Sequence, residues 1–103
     1  EDAQKWYPLM NHVGDDFCWT WMQLQPVNVQ LCCAMNYQLR KNTTWISQRP
    51  IKVEKQDAIG YSVTQKMVPN DKFVLCKNVA VVDSLRYKKE QLIDEAVRCL
   101  TNW

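Results

Sequence analysis

Glycine is scarce in this chain, which has only Gly14 and Gly60 among its 103 residues. A phosphate-binding P-loop needs two glycines at a fixed short spacing, and the dinucleotide-binding fingerprint needs three close together. Two glycines this far apart cannot form either motif. The sequence therefore excludes nucleotide-dependent catalysis of these two kinds.

Histidine is scarce too, and the cysteines are not spaced for chemistry. His12 is the sole histidine, so no HExxH zinc motif exists, and none of the five cysteines shows the CxxC spacing of a zinc or redox site. We predict no catalytic residue, no metal ligand and no cofactor, and we lean towards a protein that is not an enzyme. A small enzyme stays an alternative, because a cysteine and His12 that are distant in sequence can meet in the fold.

The chain also lacks a strong excess of one charge and a long apolar run. Thirteen basic and eleven acidic residues give a net charge of +2, which is below the basic balance of a dedicated nucleic-acid binder. No stretch is long and apolar enough for a membrane span, so none is expected. The odd number of cysteines favours an intracellular location, whereas the N-glycosylation acceptor pattern at Asn42 keeps secretion open. The location therefore stays unknown, with a slight lean to the intracellular side.

What the chain does contain is one long alternating segment, VNVQLCCAMNYQLR, at residues 27–40. Strict alternation over this length predicts a β-strand. One face would carry Val27, Val29, Leu31, Cys33, Met35, Tyr37 and Leu39, and the other Asn28, Gln30, Cys32, Ala34, Asn36, Gln38 and Arg40. We expect the apolar face to lie on the core, the amide-rich face to point to solvent or a partner, and the strand to bend or bulge near residues 32–34.

Shorter alternating segments surround this strand. Residues 1–16 are expected to form an N-terminal arm or short helix, and residues 17–24 a strand with Phe17, Trp19 and Trp21 on one face. Extended pieces follow at 44–48 and 51–55. Residues 59–82 are expected to form a hairpin around the turn sequence PNDK at 69–72. Together, residues 17–82 predict an antiparallel β meander.

The period then changes to that of an amphipathic helix over residues 84–102, with Asp83 and Ser84 as candidate N-caps. The basic residues Arg86, Lys88 and Lys89 are unfavourable at a helix N-terminus, so the alternative start is near 88. Leu92, Ile93, Ala96, Val97, Leu100 and Trp103 share its apolar stripe. We therefore predict a single α+β domain over residues 1–103. Five or six antiparallel strands would form a coiled sheet or small barrel, closed by one C-terminal helix.

Three functions agree with these observations. The first is a non-catalytic module that binds a protein or peptide, or a second copy of itself, through an exposed strand or the groove between helix and sheet. Its candidate residues are Asn28, Gln30, Asn36, Gln38 and Arg40. The second is weak binding of single-stranded nucleic acid, less favoured, by Trp19, Trp21, Arg40, Lys41, Arg49, Lys52 and Lys55. The third is a small enzyme, or a designed protein without a ligand.

Overall fold

The computed structural model describes residues 5–55 and 58–101 of the chain. They form an α+β fold of antiparallel strands followed by one C-terminal helix, as the sequence predicts. The strands are β1 (Lys5–Val13), β2 (Cys18–Gln25), β3 (Val29–Lys41), β4 (Thr44–Trp45), β5 (Ile51–Lys55), β6 (Ala58–Ser62) and β7 (Phe73–Asp83). The sheet does not close, so of the two predicted forms it is the coiled sheet that occurs, not the barrel.

The main sheet has the order β1-β2-β3-β7, and the short β4 pairs with the end of β3. The predicted hairpin over 59–82 is wrong, because β6 pairs with β5 in a separate two-stranded sheet and β7 pairs with β3. The PNDK turn itself forms, with the Asp71 amide donating to the Val68 carbonyl and Asn70 at a φ of 75°. The thirteen residues of β3 offer β7 a longer ladder than the five of β6.

β3 is regular where a bulge was expected. Its register with β7 runs without a shift from Leu31 opposite Asp83 to Lys41 opposite Phe73. The irregularity in this sheet lies in β1, between Pro8 and Met10. Proline has no amide hydrogen to donate to a ladder, which makes it a natural place for a strand to depart from regular pairing.

The N-terminal segment is a strand, which corrects the expectation of an arm or short helix. Residues 5–13 pair antiparallel with β2, from Lys5 opposite Gln25 to Val13 opposite Cys18. The aromatic and aliphatic residues Trp6, Tyr7 and Leu9 favour extended backbone, and β2 supplies a free edge to pair with. Residues 1–4 lie outside the described part of the chain.

The core lies on one face of the sheet, called here the helix face, which carries the even-numbered side chains of β3. Cys32 and Ala34 are fully buried there, beneath Leu92, Ala96 and Leu100 of the helix. This corrects the expectation that the odd-numbered face forms the core. The reason is steric, since the small side chains at 32 and 34 let the helix approach the sheet closely. Trp19 belongs to this core, and Phe17 and Trp21 pack against it.

The opposite face, called the hairpin face, carries the odd-numbered side chains of β3 and is half-buried. The β5–β6 hairpin covers part of it. The rings of Tyr37 and Tyr61 lie with their centroids 5.4 Å apart, and the Tyr61 hydroxyl donates to the Gly14 carbonyl at 2.7 Å. The predicted apolar face thus has a partner of its own, a small hairpin instead of the helix.

The helical segment begins later than residue 84 and agrees with the alternative start near 88. A 3₁₀ turn at Lys89–Gln91 leads into α1 (Leu92–Thr101), and residues 102 and 103 lie outside the described residues. Asp83 and Ser84 therefore do not cap the helix. Ser84 instead prolongs the β3–β7 ladder, since its amide donates to the Gln30 carbonyl and its hydroxyl accepts from the Gln30 amide. Over the described residues, no helix has the length and apolar character that crossing a membrane requires.

Candidate functional site

The amide-rich residues of β3 that the sequence singled out as a binding face mainly bind one another. Gln30 accepts from the Trp21 indole at 3.0 Å and donates to Gln23 at 3.0 Å. Gln23 in turn donates to Asn28, which also accepts from the Lys89 ammonium at 2.9 Å. These side chains form a closed network at one end of the helix face. Such a network satisfies half-buried amides without any partner chain.

The remaining members of that predicted set are spread along the strand. Asn36 accepts a 2.9 Å hydrogen bond from Asn78 of β7, and Gln38 is exposed. Arg40 lies with its guanidinium carbon 5.7 Å from the ring centroid of Trp45. The structure therefore places the five residues on one face, but it does not bring them together into one site.

The residues of the nucleic-acid alternative are separated more strongly. Trp19 is only 9% exposed and lies under the helix. Lys41 faces the other side of the sheet, 3.7 Å from Asp71, and Lys52 on the hairpin lies 2.9 Å from Asp15. Arg40 lies against Trp45 of β4 and not against a tryptophan of β2. Rings and bases do not form a common groove.

The described thiols show no arrangement for nucleophilic catalysis. Burial raises the pKa of Cys32 to about 12, and burial also raises the pKa of Cys18 and of Cys33. His12 stacks on Trp19, whereas Cys18 faces the other side of the sheet in the β1–β2 register. Among residues 5–55 and 58–101, no group of three or more His, Cys, Asp or Glu side chains is placed to hold a metal ion.

β3, which the sequence offered as an exposed strand, lies inside the main sheet, whereas β7 and β1 are its edge strands. β3 is paired on both sides, with β2 over residues 29–35 and with β7 over residues 31–41. β7 pairs with β3 alone among the described strands, so its other side is an edge of the sheet. We call this side the β7 edge and define it as the outward backbone of residues 73–83.

Three hydrogen bonds establish which residues of β7 point outward. The Ser84 amide donates to the Gln30 carbonyl at 2.9 Å, and the Asn42 amide donates to the Lys72 carbonyl at 2.7 Å. On the opposite side of β3, the Ile46 amide donates to the Leu39 carbonyl at 2.8 Å. Even-numbered residues of β3 and β7 thus bond to each other. Because backbone groups alternate along a strand, the amides and carbonyls of the odd-numbered β7 residues face outward.

The side chains of these same odd residues lie on the hairpin face and are largely exposed. Leu75 is 63% exposed, Val79 52% and Val81 57%. At one end they border a groove of about 310 Å³ that is lined by Met35, Tyr37, Leu39, Tyr61, Val63, Leu75 and Lys77. The β7 edge therefore presents free backbone groups next to an apolar row.

The edge does not follow from the sequence pattern, because the hairpin predicted over 59–82 pairs residues 73–82 with the strand before them. The signal was present in its composition: FVLCKNVAVVD has no proline, no glycine and only one lysine. The composition does not show which strand lies beside this one.

Comparison of the chain with protein-family models, with curated proteins and with solved structures gives no match.

Proposed function

We propose that this chain is a non-catalytic protein-interaction domain that binds an extended polypeptide segment on the β7 edge. The observation that supports it most is an eleven-residue edge strand that pairs regularly with β3 and directs its odd-numbered backbone groups away from it, with the Asp83 carbonyl alone among them bound to the following turn. Strand addition of this kind obtains affinity from main-chain hydrogen bonds and specificity from pockets for alternate side chains.

The composition of β7 favours this use over that of an ordinary edge. Natural edge strands discourage pairing with prolines, bulges, short length or charges. β7 has a continuous register with β3 and carries only Lys77 and Asp83 as charged residues. An edge with two charged residues as its sole protection of this kind favours pairing with another chain.

The side chains beside the edge suit a polypeptide partner. An added strand would place every second side chain on the hairpin face, against Leu75, Val79 and Val81. The groove at Tyr37 and Tyr61 could receive one larger apolar residue near the end of that strand. The partner class is therefore an extended segment with alternating apolar residues.

Binding of single-stranded nucleic acid remains a prediction without added support, because Trp19 is buried beneath the helix. Its test is salt-sensitive binding of an oligonucleotide with quenching of tryptophan fluorescence. A small enzyme likewise remains a prediction, and no described constellation favours it.

The proposal is tested by selecting peptides from a displayed random library on the wild-type protein and measuring their binding to two variants of one position. Val79→Pro removes an outward amide hydrogen, whereas Val79→Thr keeps it along with a β-branched side chain. We expect Val79→Pro to lose most of the binding and Val79→Thr to stay within a few-fold of the wild type.

Hydrogen exchange locates the binding. On addition of a selected peptide, amides of odd-numbered residues in 73–83 should become protected, whereas those of even-numbered residues are protected already. Selected peptides that bind Val79→Pro as tightly as the wild type, and protect no β7 amide, would contradict strand addition.

A further inference from the structure

The partner that the β7 edge itself specifies can be inferred from its charges. We infer that the β7 edge binds a second copy of this chain, with the two β7 strands antiparallel about a two-fold axis at Ala80. This inference rests on the proposed function, because it names the partner of the same edge. It follows from the placement of two charged residues and from the space around the strand.

Lys77 and Asp83 are the sole basic and the sole acidic residue of β7. Both are odd-numbered, so both have side chains on the hairpin face and backbone groups directed away from β3. The Asp83 carbonyl accepts from the Arg86 and Tyr87 amides of the following turn, at 3.3 and 3.2 Å, so at this end of the strand the Asp83 amide is the free group. Neither side chain forms an ion pair with another residue within 5–55 and 58–101. The Asp83 carboxylate accepts one hydrogen bond, from the Leu85 amide, through a single oxygen. A strand arriving at this edge therefore meets one positive and one negative charge on the same face.

Two identical antiparallel strands can satisfy both charges in only one register. When Ala80 lies opposite Ala80 of the second copy, Lys77 lies opposite Asp83 of the second copy, and the symmetry repeats the pair. Directly opposed, oppositely charged side chains stabilise an antiparallel pair. A two-fold axis at Lys77 would oppose two lysines, and an axis at Asn78 or Val79 would set Lys77 against a valine. The charges thus select the register.

The same register matches the apolar residues. It places Val79 opposite Val81 of the second copy, twice, on the hairpin face between the two ion pairs. Both valines are more than half exposed in the single chain. On the helix face it places the small Ala80 at the axis, where two β-carbons must approach closely in a non-hydrogen-bonded pair. Apolar contacts thus lie in the centre of the contact and charged pairs at its ends.

The space around the strand agrees with this register as well. The contact uses residues 77–83, the half of β7 nearer to the helix. The other half borders the segment that returns from β6, because Leu75 lines a groove with Val63, and Lys41 donates to the Lys66 carbonyl. A longer register centred further towards Phe73 would bring the second copy closer to that segment.

The contact also explains how a bare edge avoids polymerisation. An isologous pair uses the β7 edges of both copies and leaves β1 at the two ends of a continuous sheet. β1 contains Pro8 and an irregular register, both of which oppose further strand addition. The assembly therefore closes at two copies.

Complementary charge reversals test the inference. Lys77→Asp sets acids against acids in a self-pair, and Asp83→Lys sets lysines against lysines. Each variant alone should dimerise at least roughly tenfold more weakly than the wild type, since two symmetric pairs turn from attraction to repulsion. An equimolar mixture of the two variants should regain wild-type affinity, because every opposed pair in the mixed dimer is complementary. The double variant Lys77→Asp/Asp83→Lys should regain it too.

The measurement is sedimentation velocity of the full chain from low to high micromolar concentration, under reducing conditions. Lys5→Asp on β1 and Asp16→Lys in the β1–β2 turn make the same charge changes away from β7 and should leave dimerisation unchanged. Thermal unfolding of each variant at low concentration checks that loss of dimer is not loss of fold.

The outcomes separate this inference from the proposed function. A wild type that stays monomeric, or a dimer that the mixed variants fail to restore, would overturn the second copy as partner. If selected peptides still bound in the Val79-dependent way, the β7 edge would remain a site for a different chain. If neither self-association nor Val79-dependent binding occurred, both proposals would fail.

Discussion

The two edges of the main sheet offer a partner different things. β1 exposes large side chains, with Trp6, Tyr7 and Leu9 between 44% and 48% exposed, but its ladder shifts between Pro8 and Met10. β7 exposes smaller side chains beside an unbroken backbone. If exposed apolar area alone chose a docking edge, β1 would be the better candidate. A strand partner needs the backbone, and that requirement favours β7.

Each edge strand also contacts a second layer. β1 contacts the β5–β6 hairpin, where the side-chain amide of Asn11 donates to the Lys55 carbonyl. The Tyr61 hydroxyl of the hairpin donates to the Gly14 carbonyl in the turn after β1. β7 pairs with β3 and contacts the helix on the helix face. Both edge strands therefore contact a second layer, β1 the hairpin and β7 the helix, and they differ in that the ladder of β1 is irregular whereas that of β7 is not.

A proline scan of β7 should produce the largest effect. Ala80→Pro removes an amide hydrogen that bonds to β3, in a residue that packs against the core, whereas Val79→Pro removes one that faces outward. We expect Ala80→Pro to lower the free energy of unfolding by about 3 kcal/mol, and Val79→Pro by less than about 1 kcal/mol. Urea denaturation at low protein concentration measures both. A larger loss for Val79→Pro than for Ala80→Pro would mean that the even and odd residues of β7 have been assigned to the wrong sides.

Removing the hydrogen bond between Tyr61 and the turn after β1 should lower the free energy of unfolding by a smaller amount. Tyr61→Phe loses the 2.7 Å hydrogen bond to the Gly14 carbonyl, which should cost about 1 kcal/mol near neutral pH. Amide exchange should rise in β5 and β6 and at the β1–β2 turn, and stay unchanged in β7. Tyr7→Phe serves as the control, because the Tyr7 ring is exposed on β1.

The same variant should change the response to alkali. Burial chiefly, and then nearby Cys18, raises the pKa of Tyr61 from 10.0 to about 12. The unfolded chain therefore releases this proton before the folded chain does, so that the wild type loses stability as pH rises from 10 to 12. Tyr61→Phe should lack this part of the loss. An identical alkaline slope in the two proteins would show that Tyr61 is not sequestered by the hairpin.

Much of this architecture is accessible from the sequence, because alternation and helical period are local properties. The antiparallel class, the long strand at 27–40 and the C-terminal helix all follow from them. The choice of core face did not follow, since Leu31, Met35 and Tyr37 have larger side chains to bury than Cys32 and Ala34. The helix packs on the flatter face, and that preference depends on a contact between segments far apart in sequence.

The edge was out of reach for a related reason. Whether Val79 directs its amide outward depends on the neighbour of β7 and on the register between them. The pattern over residues 59–82 predicts a hairpin in which β7 pairs with β6, whereas in the structure β7 pairs with β3. An amide network such as Gln23 with Gln30 is hidden in the same way, because each partner alone is typical of a solvent-facing strand.

The smallest change in stability, and a sharp test of the comparison, should come from Pro8→Val. Proline occurs in strands where its nitrogen faces away from the ladder, so the variant adds an outward amide hydrogen to β1 without disturbing β2. We expect the free energy of unfolding to change by no more than about 0.5 kcal/mol.

The same variant should change association more than stability, because Trp6 and Leu9 would then flank an edge able to pair. Small-angle scattering should detect species larger than two copies in Pro8→Val. Pro8→Ser also adds the amide hydrogen, but its side chain is less suited to strands, so it should form fewer of these species. If both variants stay at the wild-type size, the shifted register at Pro8 and Met10 protects β1 without help from proline, and backbone irregularity alone separates the two edges.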